Sequence, residues 1–384
     1  MAQFVRRARE NDICVFIGRF QPLHAGHMGV ILKALEAAEF VVLIVGSAFQ
    51  FRRPDVNPFT FAEREAMIRA SLPPEAQERV IIIPIADSNY NKDQWNEDVY
   101  KAVNDVAASI KADSKISLIG HSKDKSSFYL KEFQNWGAID VVSSRPLDAT
   151  SIRNSFLNSN IGVVENMFQQ AIDRQDLSVG VINWLRDFQK QDTYLELIDE
   201  MEYYRSCHAL WARESWPGSR NTVCADVLIE QDNHVLLVRR NEYPQKGSWA
   251  TPGGHLNTDE TVQECGLREG YEETGIKVPK IIFERSLVGK EEFDEPRRDP
   301  RGRYITTMFH YKLQPQVPEY DTTKTPEANR ARVLSALARP KVTGMDDAAE
   351  AKWWHWSDIT REMMFLDCFA MIHKMRAKNQ KGDQ

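Results

Sequence analysis

Three glutamates, Glu269, Glu272 and Glu273, stand at i, i+3 and i+4, a spacing that puts three carboxylates on one helix face. Like charges packed this way repel unless a cation sits among them. A magnesium site is the simple resolution, because hard cations take carboxylate oxygens and keep water or phosphate as further ligands. The run belongs to a longer pattern, Gly254-x5-Glu260-x7-Arg268-Glu269-x2-Glu272-Glu273-x-Gly275. A second cluster lies far upstream. His24 and His27 flank Ala25-Gly26, after the apolar run Ile13–Ile17 and the turn Gly18-Arg19-Phe20. If Gly26 opens a helix, free backbone N–H groups and the helix dipole favour an anion there, and two imidazoles add donors for phosphate oxygens. One cluster thus calls for a cation and the other for a phosphate.

The elements needed to hold these groups follow from periodicity. Residues 12–145 alternate short apolar runs (Ile13–Ile17, Phe40–Val45, Val80–Ile85, Ile116–Ile119, Ile139–Val142) with helical stretches such as 26–38 and 61–71. Near-continuous apolar runs fit strands buried on both faces of a parallel sheet. The βαβα rhythm predicts a doubly wound α/β domain with ligands at the carboxyl ends of its strands. From about 154 to 212 the pattern is helical, and no Pro/Gly/Ser linker interrupts it. Residues 223–230 and 234–240, joined by Asp232-Asn233, predict a hairpin. A helix over 260–273, strands near 281–289 and 304–313, and a last helix over 358–376 predict an α+β domain. Met363, Met364, Phe365, Phe369 and Met371 read as the packing stripe of that last helix. The expected division is 1–188, a helical connector 189–212, and 213–384, in line with ~150 residues per domain for a chain of 384.

Composition narrows the classes. Lys plus Arg is 49 and Asp plus Glu is 55, a net charge of 49 − 55 = −6, with pI near 5.9. Hydrophobic residues at 42% and charged residues at 27% exclude a disordered chain, a coiled coil and a fibrous repeat. The acidic balance argues against a nucleic-acid partner. Cys14, Cys207, Cys224, Cys265 and Cys368 are odd in number and never spaced Cys-x-x-Cys, so a reducing cytoplasm is expected rather than a disulfide framework. The first residues show no signal-peptide pattern, and no run of ~20 apolar residues predicts a membrane span.

Gly-Arg-Phe-x-Pro-x-His-x-Gly-His resembles the signature of HxGH nucleotidyltransferases, especially nicotinamide-mononucleotide adenylyltransferases of the archaeal type. Thr150-Ser151-Ile152-Arg153 is similar to a second element of that superfamily, although the two serines that often precede it are here Asp148 and Ala149. Asn57-Pro58-Phe59, Glu63-Arg64 and Gly120-His121-Ser122-Lys123-Asp124 also look like these enzymes. The resemblance covers about 10–185. It implies transfer of AMP from ATP to an attacking phosphate, with catalysis by positioning and charge stabilisation and no protein nucleophile. His24, His27, Arg19 and Arg153 would surround the triphosphate. Gly18, Phe20, Asn57, Gly120, Lys123 and Thr150 would line the substrates. Asn91 and Trp95 would meet the base of the mononucleotide; helix packing is an equal reading of Trp95.

The glutamate pattern is the Nudix box, and about 215–384 resembles Nudix hydrolases. The resemblance implies that Glu269, Glu272 and Glu273 hold Mg²⁺ (Mn²⁺ being an alternative), that Arg268 and Glu260 form a supporting ion pair, and that metal-activated water attacks a nucleoside diphosphate. Gly270 stands where the family has an apolar residue. The segment 293–304 carries Arg297, Arg298, Arg301 and Arg303; it resembles Nudix enzymes acting on ADP-ribose, with Arg297 and Arg301 as candidate contacts, although such a run alone reads as solvated. Glu350 reads equally as a helper of the site or a surface residue. Together the two resemblances imply a bifunctional enzyme of NAD metabolism that takes ATP, nicotinamide mononucleotide, NAD and ADP-ribose. The alternatives are a Nudix-like sensor of ADP-ribose or NAD, or another acceptor such as nicotinate mononucleotide. Relatives of the first domain often assemble, which makes a homo-oligomer an open expectation.

Overall fold

The computed structural model of the chain describes residues 10–87, 90–111, 113–120, 133, 135–141, 147–213, 221–315 and 318–380. The chain divides into two compact units, Met1–Glu202 and Tyr203–Gln384.

In the first unit the order is β1 (Asn11–Gly18), α1 (Ala25–Ala37), β2 (Ala38–Val45), α2 (Phe61–Ser71), β3 (Val80–Pro84), α3 (Lys92–Ile110), β4 (Ile116–Gly120) and β5 (Gly137–Asp140). The strands pair in parallel in the order β3-β2-β1-β4-β5. Ile13, Val15, Val42 and Ile44 are fully buried between layers, as expected for β-branched runs covered on both faces. Strand order reverses between β1 and β4, so Gly18 and Gly120, at their carboxyl ends, flank the crevice where such sheets bind ligands. A capping box between Thr60 and Glu63 fixes the start of α2. The helices α4 (Ala149–Phe156), α5 (Ile161–Asp173), α6 (Val179–Phe188) and α7 (Asp192–Ala212) follow, and the division between units falls within α7.

The second unit contains β6 (Asn221–Gln231), β7 (His234–Arg240), β8 (Trp249–Ala250), β9 (Gly253–His255), α8 (Val262–Thr274), α9 (Lys280–Ser286), β10 (Leu287–Phe293), β11 (Arg303–Lys312), α10 (Pro326–Leu337), β12 (Ala348–His355) and α11 (Cys368–Gln380). The mixed sheet runs β10-β11-β6-β7-β12, with β9 on β6 and β8 on β7; β11 and β6 are parallel. Asp232 and Asn233 take φ of 49° and 57°, the left-handed pair that a tight hairpin turn requires.

Two predicted elements differ. Residues 281–289 read as a strand, but Lys280–Ser286 is a helix and the strand begins at Leu287. Pro279 starts that helix by accepting the N–H of Ile282 at 2.9 Å, and the turn then buries Phe283 and Ser286 at helical spacing. The predicted helix 358–376 starts ten residues late, at Cys368. Before it, the backbone is drawn elsewhere: Phe365 N–H donates to Trp249 O and Leu366 N–H to Gln245 Oε1, both at 2.7 Å, and Leu366 has φ 42°. Among the described residues no helix is long and apolar enough to cross a membrane.

Candidate active sites

At the end of β1, a Cβ on residue 18 would stand 3.0 Å from the Phe20 ring, so glycine lets the chain fold back on itself. His24 caps α1: its Nδ1 accepts the Gly26 N–H at 3.1 Å, and the missing Cβ of Gly26 leaves room for the ring. Because Nδ1 accepts, the proton of neutral His24 is on Nε2. The His24 and His27 rings stack with centroids 3.8 Å apart, and Phe20 lies 4.9 Å from His27. Burial lowers His24 to about 4, against the pull of the nearby Asp148 carboxylate. His24 is therefore neutral at pH 7, with Nε2–H as its donor.

Arg153, on α4, is buried. It donates from Nε to Asp55 O (3.0 Å), from Nη1 to Gln21 O (2.7 Å) and from Nη2 to Thr150 Oγ1 (3.1 Å), which leaves one N–H on each terminal nitrogen. Burial and the exposed Arg19 beside it lower its pKa to about 10, so it keeps its charge. Arg64 is almost fully buried and donates to the carbonyls of Thr60, Arg19, Gly46 and Ser47. It is the strut under the Arg19 turn. Glu63 pairs with Arg52 through both oxygens. The structure thus brings Gly18, Arg19, Phe20, His24, His27, Thr150 and Arg153 to one region.

Other expected contacts sit differently. The amide of Asn57 is buried and engaged at both ends, accepting from Gln21 Nε2 and donating to Ser47 O, so it braces the loop. Asn91 caps α3 by accepting the Gln94 N–H at 3.3 Å. Trp95 packs against the core beneath the sheet, 6.4 Å from the Phe133 ring. Lys123 lies outside the described residues.

In the second unit, α8 starts at a capping box between Thr261 and Glu264 and ends at Gly275 in the left-handed conformation. It packs closely on β6: a Cβ on Gly270 would meet Val227 at 3.1 Å, so glycine here permits contact rather than weakening it. On β9, a Cβ at residue 253 would lie 2.3 Å from Asp226 Oδ1, and one at residue 254 would lie 2.2 Å from Glu269 Oε1. These two glycines open the strand to the carboxylates. Gly253 N–H also donates to Glu273 Oε2 at 3.0 Å.

Arg268 grips Glu260 through two N–H bonds of 2.9 and 2.8 Å, the expected ion pair, and holds Glu260 down to about 2. From Nη1 it also reaches Glu269 (2.9 Å) and Glu272 (2.8 Å). Burial, with Glu269 and Asp226 close by, pushes Glu273 up to about 8, while Gly253 N–H opposes the rise. Asp226 rises to about 6 and Glu269 rises too, both chiefly by burial. Hard oxygen donors gathered in one cavity and destabilised there as anions fit a divalent cation in type and charge. As the side chains stand, no three His, Cys, Asp or Glu groups among the described residues converge on one point, since Arg268 occupies Glu269 and Glu272.

Three of these carboxylates line a cavity of about 450 Å³, a size suited to a small ligand. Asp226, Glu269 and Glu273 line it, together with Tyr203, Arg240, Tyr243, His255, Arg298, Arg301 and Tyr304. Glu272, Arg297 and Glu350 are not among its lining residues. Arg297 is exposed, and Glu350 faces Arg239 across β12 and β7 at 3.6 Å. Arg298 is buried in a pair with Asp367, and Arg301 pairs with Asp299 while lying 4.4 Å over the Tyr304 ring. Arg240 lies 4.2 Å over the Phe365 ring. Asp226, Tyr203 and Arg240 carry no motif; only their place opposite the glycines or on the cavity wall identifies them.

Residues 15–138 match the family model described as cytidylyltransferase-like, and residues 220–359 match the NUDIX domain. The chain is 37% identical over 187 residues to the nicotinamide/nicotinic acid mononucleotide adenylyltransferase of Acinetobacter baylyi, covering 48% of this chain and 91% of that protein. It is 45% identical over 87 residues to the ADP-ribose pyrophosphatase of Methanocaldococcus jannaschii, covering 23% of this chain and about half (48%) of that protein. The solved structure of a bifunctional NMN adenylyltransferase/ADP ribose pyrophosphatase from Francisella tularensis, complexed with AMP and a manganese ion, is 29% identical. It matches with a TM-score of 0.80 over 96% of this chain and 99% of that one. The chain belongs to the nicotinamide-mononucleotide adenylyltransferase family, and carries a NUDIX domain after its nucleotidyltransferase unit.

Proposed function

We propose that the protein is a bifunctional enzyme of NAD metabolism, with one activity in each unit. In the first, the 5′-phosphate oxygen of nicotinamide mononucleotide attacks the α-phosphorus of ATP. The bond to pyrophosphate breaks and NAD forms. His24, His27, Arg19 and Arg153 place donors around the triphosphate, and no residue is covalently modified. Neutral His24 offers Nε2–H to a phosphate oxygen and keeps its proton throughout. Gly18, Phe20 and Thr150 shape the cradle, and Gly120 closes its far side.

In the second unit, water attacks a phosphorus of ADP-ribose and the pyrophosphate linkage breaks, giving AMP and ribose 5-phosphate. Glu269, Glu272 and Glu273 would hold Mg²⁺, or Mn²⁺, which when bound polarises the phosphate oxygens and acidifies the attacking water. Glu273, anchored through one oxygen on Gly253 N–H, leaves the other for the ion or the water's proton. Arg301, which lines the same cavity, is a cation for the substrate's phosphates or ribose.

One observation carries this reading: half-buried carboxylates and arginines share the walls of one cavity, and glycines clear the strand beneath the carboxylates. The test is product analysis with the unmodified chain and Mg²⁺. ATP plus nicotinamide mononucleotide should yield NAD and pyrophosphate, and ADP-ribose should yield AMP and ribose 5-phosphate. ADP-ribose bound without turnover would mean a sensor instead, and faster use of nicotinate mononucleotide would move the acceptor.

A further inference from the structure

The C-terminal half of α7, from Tyr203, belongs to the second unit, and its first residue reaches that unit's cavity. One stripe of α7, Tyr194, Leu197, Met201 and Tyr204, is buried at helical spacing. Beside it, Tyr203 lines the cavity, with its ring centroid 6.0 Å from that of Tyr243. A turn later, His208 Nε2 lies 2.8 Å from Pro300 O; a carbonyl only accepts, so the ring nitrogen donates. One turn further, Trp211 stacks on Tyr304 with centroids 6.1 Å apart and planes at 24°. The same indole covers Gly302, where a Cβ would lie 1.4 Å from a ring carbon and φ is +157°. The turn from Pro300 to Tyr304 is therefore pinned to the helix at both ends. Arg301 sits between the pins and lines the cavity.

We propose that the C-terminal half of α7 is a working wall of the second cavity. Tyr203 presents its ring to the bound nucleotide, and His208 and Trp211 are positioning residues that hold Arg301 and Tyr304 against it. The inference rests on reading that cavity as the ADP-ribose site. It places the functional start of the second unit inside the helix, well before residue 213.

Steady-state kinetics on the full chain with Mg²⁺ and ADP-ribose test this, using Trp211→Ala, Trp211→Phe, Tyr203→Leu and Tyr203→Phe. Trp211→Ala and Tyr203→Leu should raise KM about tenfold with kcat within about twofold, because the carboxylate wall is untouched. The two Phe variants keep a ring and should restore KM to within about threefold. NAD synthesis and the melting temperature should be unchanged in all four. An unchanged KM in Trp211→Ala and Tyr203→Leu would overturn the proposal. So would joint loss of both activities with a lower melting temperature, which would mean that the helix serves the fold and not the cavity. Failure of the unmodified chain to bind or cleave ADP-ribose would instead overturn the reading of the cavity itself, a result visible before any variant is made.

Discussion

Glu269 reaches across Gly254 so closely that a Cβ on residue 254 would lie 2.2 Å from its Oε1. The contact is with the end of a side chain, so the strand can survive a methyl group, but the carboxylate must move. Gly254→Ala is expected to lower ADP-ribose hydrolysis about a hundredfold, the scale associated with a 1 Å misplacement in a catalytic site. NAD synthesis should be unaffected. Parallel assays of both reactions on the purified variant check this.

Arg268 offers a prediction about metal. It binds Glu260 through two hydrogen bonds while also touching Glu269 and Glu272. In Glu260→Gln the guanidinium is released toward the remaining carboxylates and competes with the cation. The Mg²⁺ concentration giving half-maximal hydrolysis should rise several-fold, and kcat at saturating Mg²⁺ should recover. A metal titration of activity decides it; an unchanged midpoint would contradict the assigned role of the pair.

His24 gives a pH dependence with a definite sign. Its folded pKa of about 4 lies below the ordinary value of 6.5. The unfolded chain therefore binds more protons between these values, and stability falls as pH drops through that window. At pH 7 the full contribution is present; by pH 4 the loss amounts to about 3 kcal/mol at one unit per 1.36 kcal/mol. Denaturant unfolding of the first unit between pH 7 and 4.5 should show a steeper decline in the unmodified chain than in His24→Gln.

Arg64 should matter to the fold of the first unit before it matters to chemistry. Its removal in Arg64→Ala would take this donor from the carbonyls of Arg19 and Gly46, while Ser47 O keeps the Asn57 amide. At about 1–3 kcal/mol for each group left unsatisfied, the unit is expected to lose about 2 kcal/mol or more. Calorimetry should show the lower melting transition together with reduced NAD synthesis.

The parallel sheet was legible because buried runs such as Phe40–Val45 carry their signal locally, and the His24–His27 and Glu269–Glu273 clusters because each lies within one turn of a helix. What failed depended on a local helix start or on distant partners. Ile281 to Phe283 reads as strand by composition, but Pro279 turns it into helix. The stretch before Cys368 reads as helix, but Trp249 and Gln245 capture its backbone. Among the arginines of 297–303, sequence cannot tell which face the cavity, since that depends on pairing with Asp299 and Asp367. Asn57 and Trp95 show the same ambiguity: a polar or aromatic residue near a motif can support the site from behind.

Two phosphate chemistries in separate units of one chain should be separable by single substitutions. Both activities should be measured side by side on His24→Ala and Glu273→Gln, with the unmodified chain as reference. His24→Ala should lose NAD synthesis and keep ADP-ribose hydrolysis, while Glu273→Gln should do the reverse. Hydrolysis persisting at the unmodified rate in Glu273→Gln, or NAD synthesis persisting in His24→Ala, would contradict it.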